Sequence, residues 1–299
     1  MSRKPYLRFS RTMAVLCALF LVAGILFSPS SCLPEASAAQ ISTDFINILL
    51  IGQDRREDEQ FCRADSILLC SFQPESRRII MTSFLRDLYL PIPGHSDNRL
   101  NAAYAHGGMA LLRQTLEENF RIPIDGCVEM DFCQFAQVLD ALGGVTIELR
   151  QDEADAINKS TDGTLTAGSQ LLTGAQALAY TRIRSLDEDG DFSRTFRQRK
   201  VISALLSSYQ DASVFTVLSM IPEILPMLST DMEKKQVVSI VLQLLPMLGK
   251  STFTSQTVPA EGMYTYSTIR GMAVLTGDLE KIRQELSDTL SGKEGSTDS

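Results

Sequence analysis

The sequence predicts an α/β domain, and three observations predict it. Residues Ile46-Asn47-Ile48-Leu49-Leu50-Ile51-Gly52 form a nearly unbroken apolar run ending at glycine, the pattern of a strand covered on both faces. Ser66 to Phe72 and Arg78 to Ser83 are two further strand-like runs. The turn signal Gln73-Pro74-Glu75-Ser76 joins them, so they form a hairpin. From residue 101 onward, apolar residues recur at helical spacing between shorter strand-like runs, and strands interleaved with helices build α/β layers.

The elements follow in order. Asn101 to Phe120 is a helix, with Leu111, Leu112, Thr115, Leu116 and Asn119 near one face. Asp131 to Leu142 is a second helix, with Phe132, Phe135, Ala136 and Leu139 spaced for burial and a stop at Gly143-Gly144. Val145 to Leu149 is a strand, Thr173 to Tyr180 a short helix and Ser193 to Tyr209 a longer one. Helices over about 214–228 and 231–248, a late strand or two around 253–266, and a helix over Asp278 to Leu290 complete the pattern. Ser291 to Ser299 are polar and expected to be disordered. No Pro/Gly-rich linker divides residues 45–290, which therefore form one predicted domain, and no internal repeat or long low-complexity segment stands out.

Arg3, Lys4, Arg8 and Arg11 precede an apolar run from Met13 to Phe27, after which the chain turns polar. A basic lead before about 15 apolar residues is the pattern of a secretory signal. The run is short for a span of about 20 residues, and Ala36-Ser37-Ala38 offers a small-x-small cleavage site. Residues 1–40 are thus a signal or membrane anchor, cleaved or retained, and the charges before the run place the remainder outside the cytoplasm. Lipidation of Cys32 is disfavoured by Pro29. Cys62, Cys70, Cys127 and Cys133 lack metal-ligand spacing, and buried or disulfide-bonded structural roles suit them better.

Hydrophobic content of 44% and charged content of 21% over 299 residues are those of a globular protein. A net charge of −8 argues against a nucleic-acid partner. Only two histidines are present, so a histidine-rich metal site is not expected. Against this acidic whole, Arg182, Arg184, Arg194, Arg197 and Arg199 crowd into the stretch Tyr180 to Lys200. Guanidinium groups match phosphate oxygens bidentately, so the island is a candidate phosphate or pyrophosphate clamp. A solvated basic helix paired with Asp187, Glu188 and Asp189 is the plainer alternative.

Arg182 and Arg184 alternate on a segment expected to be extended, which points both to one side. Arg194 and Gln198 share a helical face, with Arg197 beside it, and Asp191 or Ser193 is placed to cap the helix. Asp54 follows the first strand and Asp65 precedes the second, two residues after Arg63. Carboxylates at strand ends suit a divalent cation that bridges phosphate oxygens; turn or capping roles are the alternative. Arg86-Asp87 follows the third strand, and Arg99 and Asn101 frame the next helix start. Tyr104 and His106 are placed to line a cleft, with a structural hydrogen bond the plainer account of His106. His95 lies in a Pro-Gly loop and is expected at the surface. Gly107-Gly108 has no preceding strand or downstream lysine in P-loop spacing, which rejects a nucleotide loop. The apolar helices from Val214 to Leu248, with Met220, Met227, Met232 and Met247, wall a lipid tunnel or simply fill the core.

Several of these segments recur together, in this order, in one known family. They are Asn47-Ile48-Leu49-Leu50-Ile51-Gly52-Gln53-Asp54, Arg63-Ala64-Asp65-Ser66, Leu85-Arg86-Asp87-Leu88-Tyr89, Leu100-Asn101-Ala102-Ala103-Tyr104, Asp140-Ala141-Leu142-Gly143-Gly144-Val145, Leu171 through Tyr180, and Arg182-Ile183-Arg184 through Asp191, Arg194, Arg197 and Gln198. In them the chain resembles the LytR-CpsA-Psr family of bacterial cell-envelope proteins over residues 45–290. The resemblance implies a three-layer α/β/α domain with a central mixed sheet and an apolar pocket for a polyprenyl chain. It implies transfer of a glycopolymer, of teichoic acid or capsule type, from an undecaprenyl-pyrophosphate carrier to peptidoglycan at the membrane, and in some members a pyrophosphatase activity. A membrane-tethered, non-catalytic or regulatory binder of such intermediates is the competing class. By motif position, Asp54 and Asp65 would hold magnesium or manganese, and Arg63, Arg86, Arg182, Arg184, Arg194 and Gln198 would contact the pyrophosphate or lie beside it. Asp191 would orient those arginines, and Asp87 or Asp191 would take the acceptor proton. Arg99 stands where the family often has lysine, which keeps the charge and changes the donor geometry.

Overall fold

The computed structural model describes residues 45–53, 63–184, 186, 191–247, 249 and 251–292. The predicted signal or anchor with Cys32, Asp54, Cys62 and the tail beyond Gly292 lie outside the described residues.

Strand β1, Ile46–Gln53, runs antiparallel to β2, Ala64–Gln73, with Ile48 opposite Cys70 and Leu50 opposite Leu68. The predicted turn then leads into β3, Arg78–Phe84, antiparallel to β2. Two short strands, β4 (Tyr89–Leu90) and β5 (Asn98–Arg99), pair and deliver the chain to helix α1, Leu100–Phe120. Strand β6, Gly126–Asp131, lies parallel to β1 on its free side and runs directly into α2, Phe132–Ala141. A side unit follows: β7 (Val145–Leu149), α3 (Gln151–Thr161), β8 (Gly168–Leu172) and α4 (Gly174–Thr181), with β7 and β8 antiparallel. Helices α5 (Asp191–Ser208) and α6 (Val214–Ile224), strand β9 (Ser229–Thr230) and helix α7 (Lys234–Leu244) come next. Strand β10 (Thr252–Val258), the hairpin β11 (Thr265–Ile269) and β12 (Met272–Thr276), and helix α8 (Leu279–Ser291) complete the described chain.

The main sheet has the order β10-β3-β2-β1-β6-β9. It is mixed, with β10–β3 and β1–β6 parallel and the other pairs antiparallel. The near-continuous apolar runs of β1 to β3 follow from cover on both faces. Leu49, Ile51, Ile67, Leu69 and Ile80 pack with Leu112, Leu116 and Phe120 of α1 and Ile282, Leu286 and Leu290 of α8. Leu50, Leu68, Cys70, Ile79 and Met81 turn the other way, toward Ile202 and Leu206 of α5 and Leu244 of α7. The architecture is therefore α/β/α around a mixed sheet. Burial drives the Cys70 and Cys127 thiols up to about 12, so both stay protonated; with the exposed Cys133 they are unbridged.

Several expectations need correction. The late "strand or two" is three strands, β10 to β12. Strands β6 and β8 and helix α3 went unpredicted, because their apolar patterns are sparse: Gly-Cys-Val-Glu-Met-Asp in β6, and only three buried residues in α3. Helix α1 is kinked at Gly107-Gly108, where Gly108 has φ 61 and ψ −151, a conformation only glycine tolerates well. The segment after α4 is not extended at Arg182. That residue closes α4 as its C-cap with φ −98 and ψ −3. Finally, α6 and α7 each run into a one-turn 3-10 end of identical sequence, Leu-Pro-Met, at residues 225–227 and 245–247, a small internal repeat not picked out from the sequence.

Candidate functional site

The parallel strands place their carboxyl ends on one side of the sheet, the usual location of ligand crevices in α/β folds. Gly52 near the end of β1 faces Ser66 at the start of β2, and a Cβ on Gly52 would stand 3.0 Å from Ser66 Cβ. Just beyond this pair the predicted residues converge. Arg86, two residues past β3, donates to Asp65 Oδ1 across 2.5 Å. The same guanidinium lies 3.5 Å from Asp87 and 3.8 Å from Asp191. Arg99 reaches Asp87 from the start of α1 at 3.0 Å. Arg194, one turn into α5, lies 2.9 Å from the Asp191 carboxylate and donates to the Asp65 carbonyl at 3.0 Å. Gln198, one turn further on, accepts from the Ser66 hydroxyl at 2.9 Å. Backbone bonds from Leu100 to the Leu88 carbonyl and from Asn101 to the Arg86 carbonyl lock α1 to the Arg86 segment.

Electrostatically the cluster is a cation site with carboxylates threaded through it. Burial pulls the Arg86 guanidinium down, but Asp191, Asp65 and Asp87 more than offset that, and its net shift is upward. For Arg194 burial prevails, aided by Arg86 and Arg184, and its net shift is downward. Arg184, exposed itself, is therefore near enough to act on Arg194. Among the described residues, the buried N–H groups on Arg86 Nε, Arg99 Nε, and Arg194 Nε and Nη1 have no hydrogen-bond partner. Orphaned buried donors are costly unless something accepts from them. Phosphate oxygens would do so.

The remaining predicted residues separate. Arg182 lies 4.5 Å over the Phe132 ring, a wall residue of the small cavity beside Ser66 and Gln198. Arg63 is exposed just before β2 and makes no ion pair with a described residue. Arg197 turns away to Glu153 of α3 at 2.9 Å, both side chains almost fully buried. Arg199 turns toward β10, donating to Thr257 Oγ1 at 3.0 Å. The five-arginine island thus divides into a site set and a structural set. Tyr104 is buried and its hydroxyl bonds to Glu129 at 2.8 Å and Gln53 at 3.3 Å. Among the described residues His106 does not show the expected structural bond; it is exposed, and its ring stacks on that of the exposed His95 at 4.8 Å. Sequence reasoning missed Ser66, Phe132, Glu129 and Glu153 as partners. Only Ser66 carried a signal, through its place beside Asp65.

Asp54, the other predicted metal ligand, lies outside the described residues. Asp65, Asp87, Asp191 and the Ser66 hydroxyl give this spot an oxygen donor set, which fits magnesium or manganese better than zinc. Among the described residues no three acidic, histidine or cysteine side chains form a ready-made metal cage. An ion here would lean on Asp65 and on phosphate oxygens, as magnesium commonly does.

Two cavities continue from the cluster along the α5 face of the sheet. The smaller, about 80 Å³, is bounded by Gly52, Ser66, Leu68, Phe132, Gln198 and Ile202. The larger, about 360 Å³, is walled by apolar side chains of α5, α6 and α7, including Leu206, Val217, Met220, Ile221, Val241 and Leu244. Leu68 and Ile202 of the small cavity share one apolar cluster with Phe72, Leu206, Leu244 and Phe253 of the large one. Neither α6 nor α7 buries a residue fully, so these helices enclose a cavity and do not fill a core. Met220 and Met247 line it, Met227 does not, and Met232 packs instead against Gly126 at the start of β6. No helix of the described residues is long and apolar enough to cross a membrane.

Comparison with known proteins gives a consistent setting. The LytR_cpsA_psr family model matches residues 30–288. A protein of Oceanobacillus iheyensis named polyisoprenyl-teichoic acid–peptidoglycan teichoic acid transferase TagU is 36% identical over 197 residues, covering 64% of this chain and 58% of that protein. A protein of Staphylococcus aureus named regulatory protein MsrR is also 36% identical, over 162 residues, covering 54% of this chain and 48% of that protein. The chain thus spans about half the length of these curated relatives. Among solved structures, one described as "TagT bound to LIIa-WTA" superposes with a TM-score of 0.68 at 26% identity, covering 87% of this chain and 94% of that one. Another, described as "LytR-CPS2A-psr family protein YwtF (TagT) with bound octaprenyl pyrophosphate lipid", gives 0.63 at 25% identity with the same coverage.

Proposed function

This chain belongs to the LytR-CpsA-Psr family, and from that membership we propose that it transfers a glycopolymer from a polyprenyl-pyrophosphate carrier to peptidoglycan, outside the cytoplasm. The observation that carries the reading is the set of buried guanidinium N–H groups on Arg86, Arg99 and Arg194 that lack a hydrogen-bond partner among the described residues, in a cluster whose Ser66 and Gln198 line the first of two apolar cavities. A ligand with a multiply charged head and a long apolar tail matches both halves. The relative with bound octaprenyl pyrophosphate supports the same assignment.

In the proposed reaction the diphosphate rests against Arg86, Arg99, Arg184 and Arg194, with Arg182 and Arg63 at the rim and Gln198 beside the first lipid units. A hydroxyl oxygen of the acceptor bonds to the phosphorus that bears the glycan. The bond from that phosphorus to the bridging oxygen breaks, and polyprenyl phosphate leaves with the electron pair. The hydroxyl proton passes to Asp87 or Asp191, the two carboxylates that approach Arg86 from different sides. Preorganised guanidinium groups stabilise charge on the departing phosphate, the principal lever in phosphoryl transfer. Magnesium or manganese, held by Asp65 together with Asp54, would supply further charge neutralisation. Hydrolysis of the carrier follows from the same arrangement when water replaces the sugar hydroxyl.

The test is turnover by the full chain of a lipid-linked saccharide with and without a peptidoglycan acceptor, and release of phosphate from a polyprenyl pyrophosphate with and without magnesium. Glycan attached to the acceptor supports the proposal. Tight binding with no transfer and no phosphate release would instead favour the non-catalytic binder, a class to which the name of the Staphylococcus aureus relative points. Deleting the gene and identifying the glycan that disappears from the wall names the polymer.

A further inference from the structure

Three aromatic rings lead from the arginine cluster to the surface. Phe192 follows Asp191 in the chain and stacks on Tyr264, with centroids 5.5 Å apart and planes 23° apart. Tyr264 meets Tyr266 edge to face, also at 5.5 Å, at 88°. Phe192 and Tyr264 are partly buried against the α1–α8 core. Tyr266 is 78% exposed, so at least one face of its ring is open to solvent. It sits on the two-stranded β11–β12 hairpin, which Leu275 of β12 ties to the Asp87-Leu88 segment through a parallel bridge.

An exposed ring held in a fixed attitude by two others contributes little to the fold. Its surroundings decide what it suits. The exposed neighbours on β11 are Thr265 and Thr268, hydroxyl side chains and not apolar ones. A lipid surface or a protein partner would call for a contiguous apolar patch, which this arm lacks. A pyranose ring presents C–H bonds on its faces and hydroxyls around its rim. It can stack on an aromatic π-face, whose negative centre attracts those C–H groups, while its rim meets the threonines.

We propose that Phe192, Tyr264 and Tyr266 form a subsite for the sugar chain of the acceptor; the inference rests on the function proposed above. A continuous chain of neighbours joins the small cavity at Ser66 to Asp65, Arg86, Asp191, Phe192, Tyr264 and Tyr266. The cavities lie on the α5 face and the ring ladder belongs to the opposite core, with the ion pairs between. In phosphoryl transfer the attacking and departing oxygens stand roughly in line across phosphorus. With the departing lipid phosphate on the cavity side, the acceptor arrives from the side of the rings. The ladder then holds the polymer next to the hydroxyl that attacks, and Asp191 stands at the junction.

The chain contains no tryptophan, so Tyr266→Trp places a single reporter on the platform. In the full chain held in detergent, titration with chitotetraose, a soluble amino-sugar tetramer, should shift the indole emission saturably. Tyr266→Ala should raise the KM for a peptidoglycan acceptor about tenfold, the worth of one good aromatic stack, and Tyr266→Phe should restore it. Binding of farnesyl pyrophosphate serves as the internal reference and should match the wild type. An unchanged acceptor KM in Tyr266→Ala, or an indole insensitive to the sugar, overturns the subsite while leaving the transferase reading intact. A rise in the KM for the lipid-linked donor instead of the acceptor also overturns it. Failure of the wild type to bind farnesyl pyrophosphate at all would overturn the transferase reading, and this inference with it.

Discussion

Arg194 donates to the main-chain carbonyl of Asp65 across 3.0 Å, although 129 residues separate the two in sequence. The same guanidinium lies 2.9 Å from the Asp191 carboxylate, so one side chain ties the start of β2 to the start of α5. Its Nε and Nη1 have no hydrogen-bond partner among the described residues. A lysine carries its three donors on one atom and cannot reproduce the planar, spread fork that reaches separate partners. Arg194→Lys should therefore lower kcat for transfer by about 10- to 100-fold while circular dichroism stays that of the wild type. Near-normal kcat would remove Arg194 from the site.

Arg184 is exposed and acts on the cluster through its charge, so its removal should not cost stability. Transition-state arginines in phosphoryl transfer are worth on the order of a thousandfold in rate. Arg184→Ala should thus nearly abolish transfer with an unchanged melting temperature. Steady-state kinetics with calorimetry checks both halves, and retained transfer counts against the clamp.

Arg197 was indistinguishable from Arg194 by composition, yet it has a different task. It pairs with Glu153 at 2.9 Å, both almost fully buried, and also donates to the Ile183 carbonyl. Deleting the cation strands a buried carboxylate, a change that typically costs about 3–5 kcal/mol. Arg197→Ala should lower the urea midpoint strongly. The double variant Arg197→Met with Glu153→Leu should recover most of that loss. A single variant as stable as the wild type would show that the pair is not holding α3 to α5.

Arg199 is only 6% exposed; among the described residues it donates to the Thr257 hydroxyl and its Nε has no hydrogen-bond partner. Burial lowers its pKa to about 10, well below that of a free guanidinium. Below pH 10 the folded chain carries the full penalty of a desolvated cation, on the order of 3 kcal/mol as an upper figure. Above that pH the unfolded chain holds more protons than the folded one, so this group's contribution improves as pH rises. Arg199→Gln keeps a hydrogen bond to Thr257 and removes the charge. It should raise stability at pH 7 by about 1–2 kcal/mol, and the gap to the wild type should narrow above pH 10. Urea melts from pH 7 to 10.5 read the trend; a less stable variant would contradict it.

Much of the site was legible because its parts lie in short local motifs. Strand-ending Gly52 and the pairs Asp65-Ser66 and Arg86-Asp87 each sit at a boundary that hydrophobic patterning marks. The sparse elements were not legible. Strand β6 holds the parallel position beside β1 with an apolar pattern too thin to announce a strand, because only Gly126 and Cys127 of it are fully buried. Likewise α3 contributes Glu153 from a mostly polar helix.

By itself the sequence determined that this is an α/β domain with arginines and aspartates at strand and helix boundaries, since hydrophobic period and charge are local properties. Only the tertiary structure decided which arginines meet. Successive positions of α5 point about 100° apart around its axis, and what each direction encounters depends on distant chain: Asp65 for Arg194, Ser66 for Gln198, Glu153 for Arg197, Thr257 for Arg199. Helix spacing orders those directions, but the packing of α5 between β2, α3 and β10 assigns the partners.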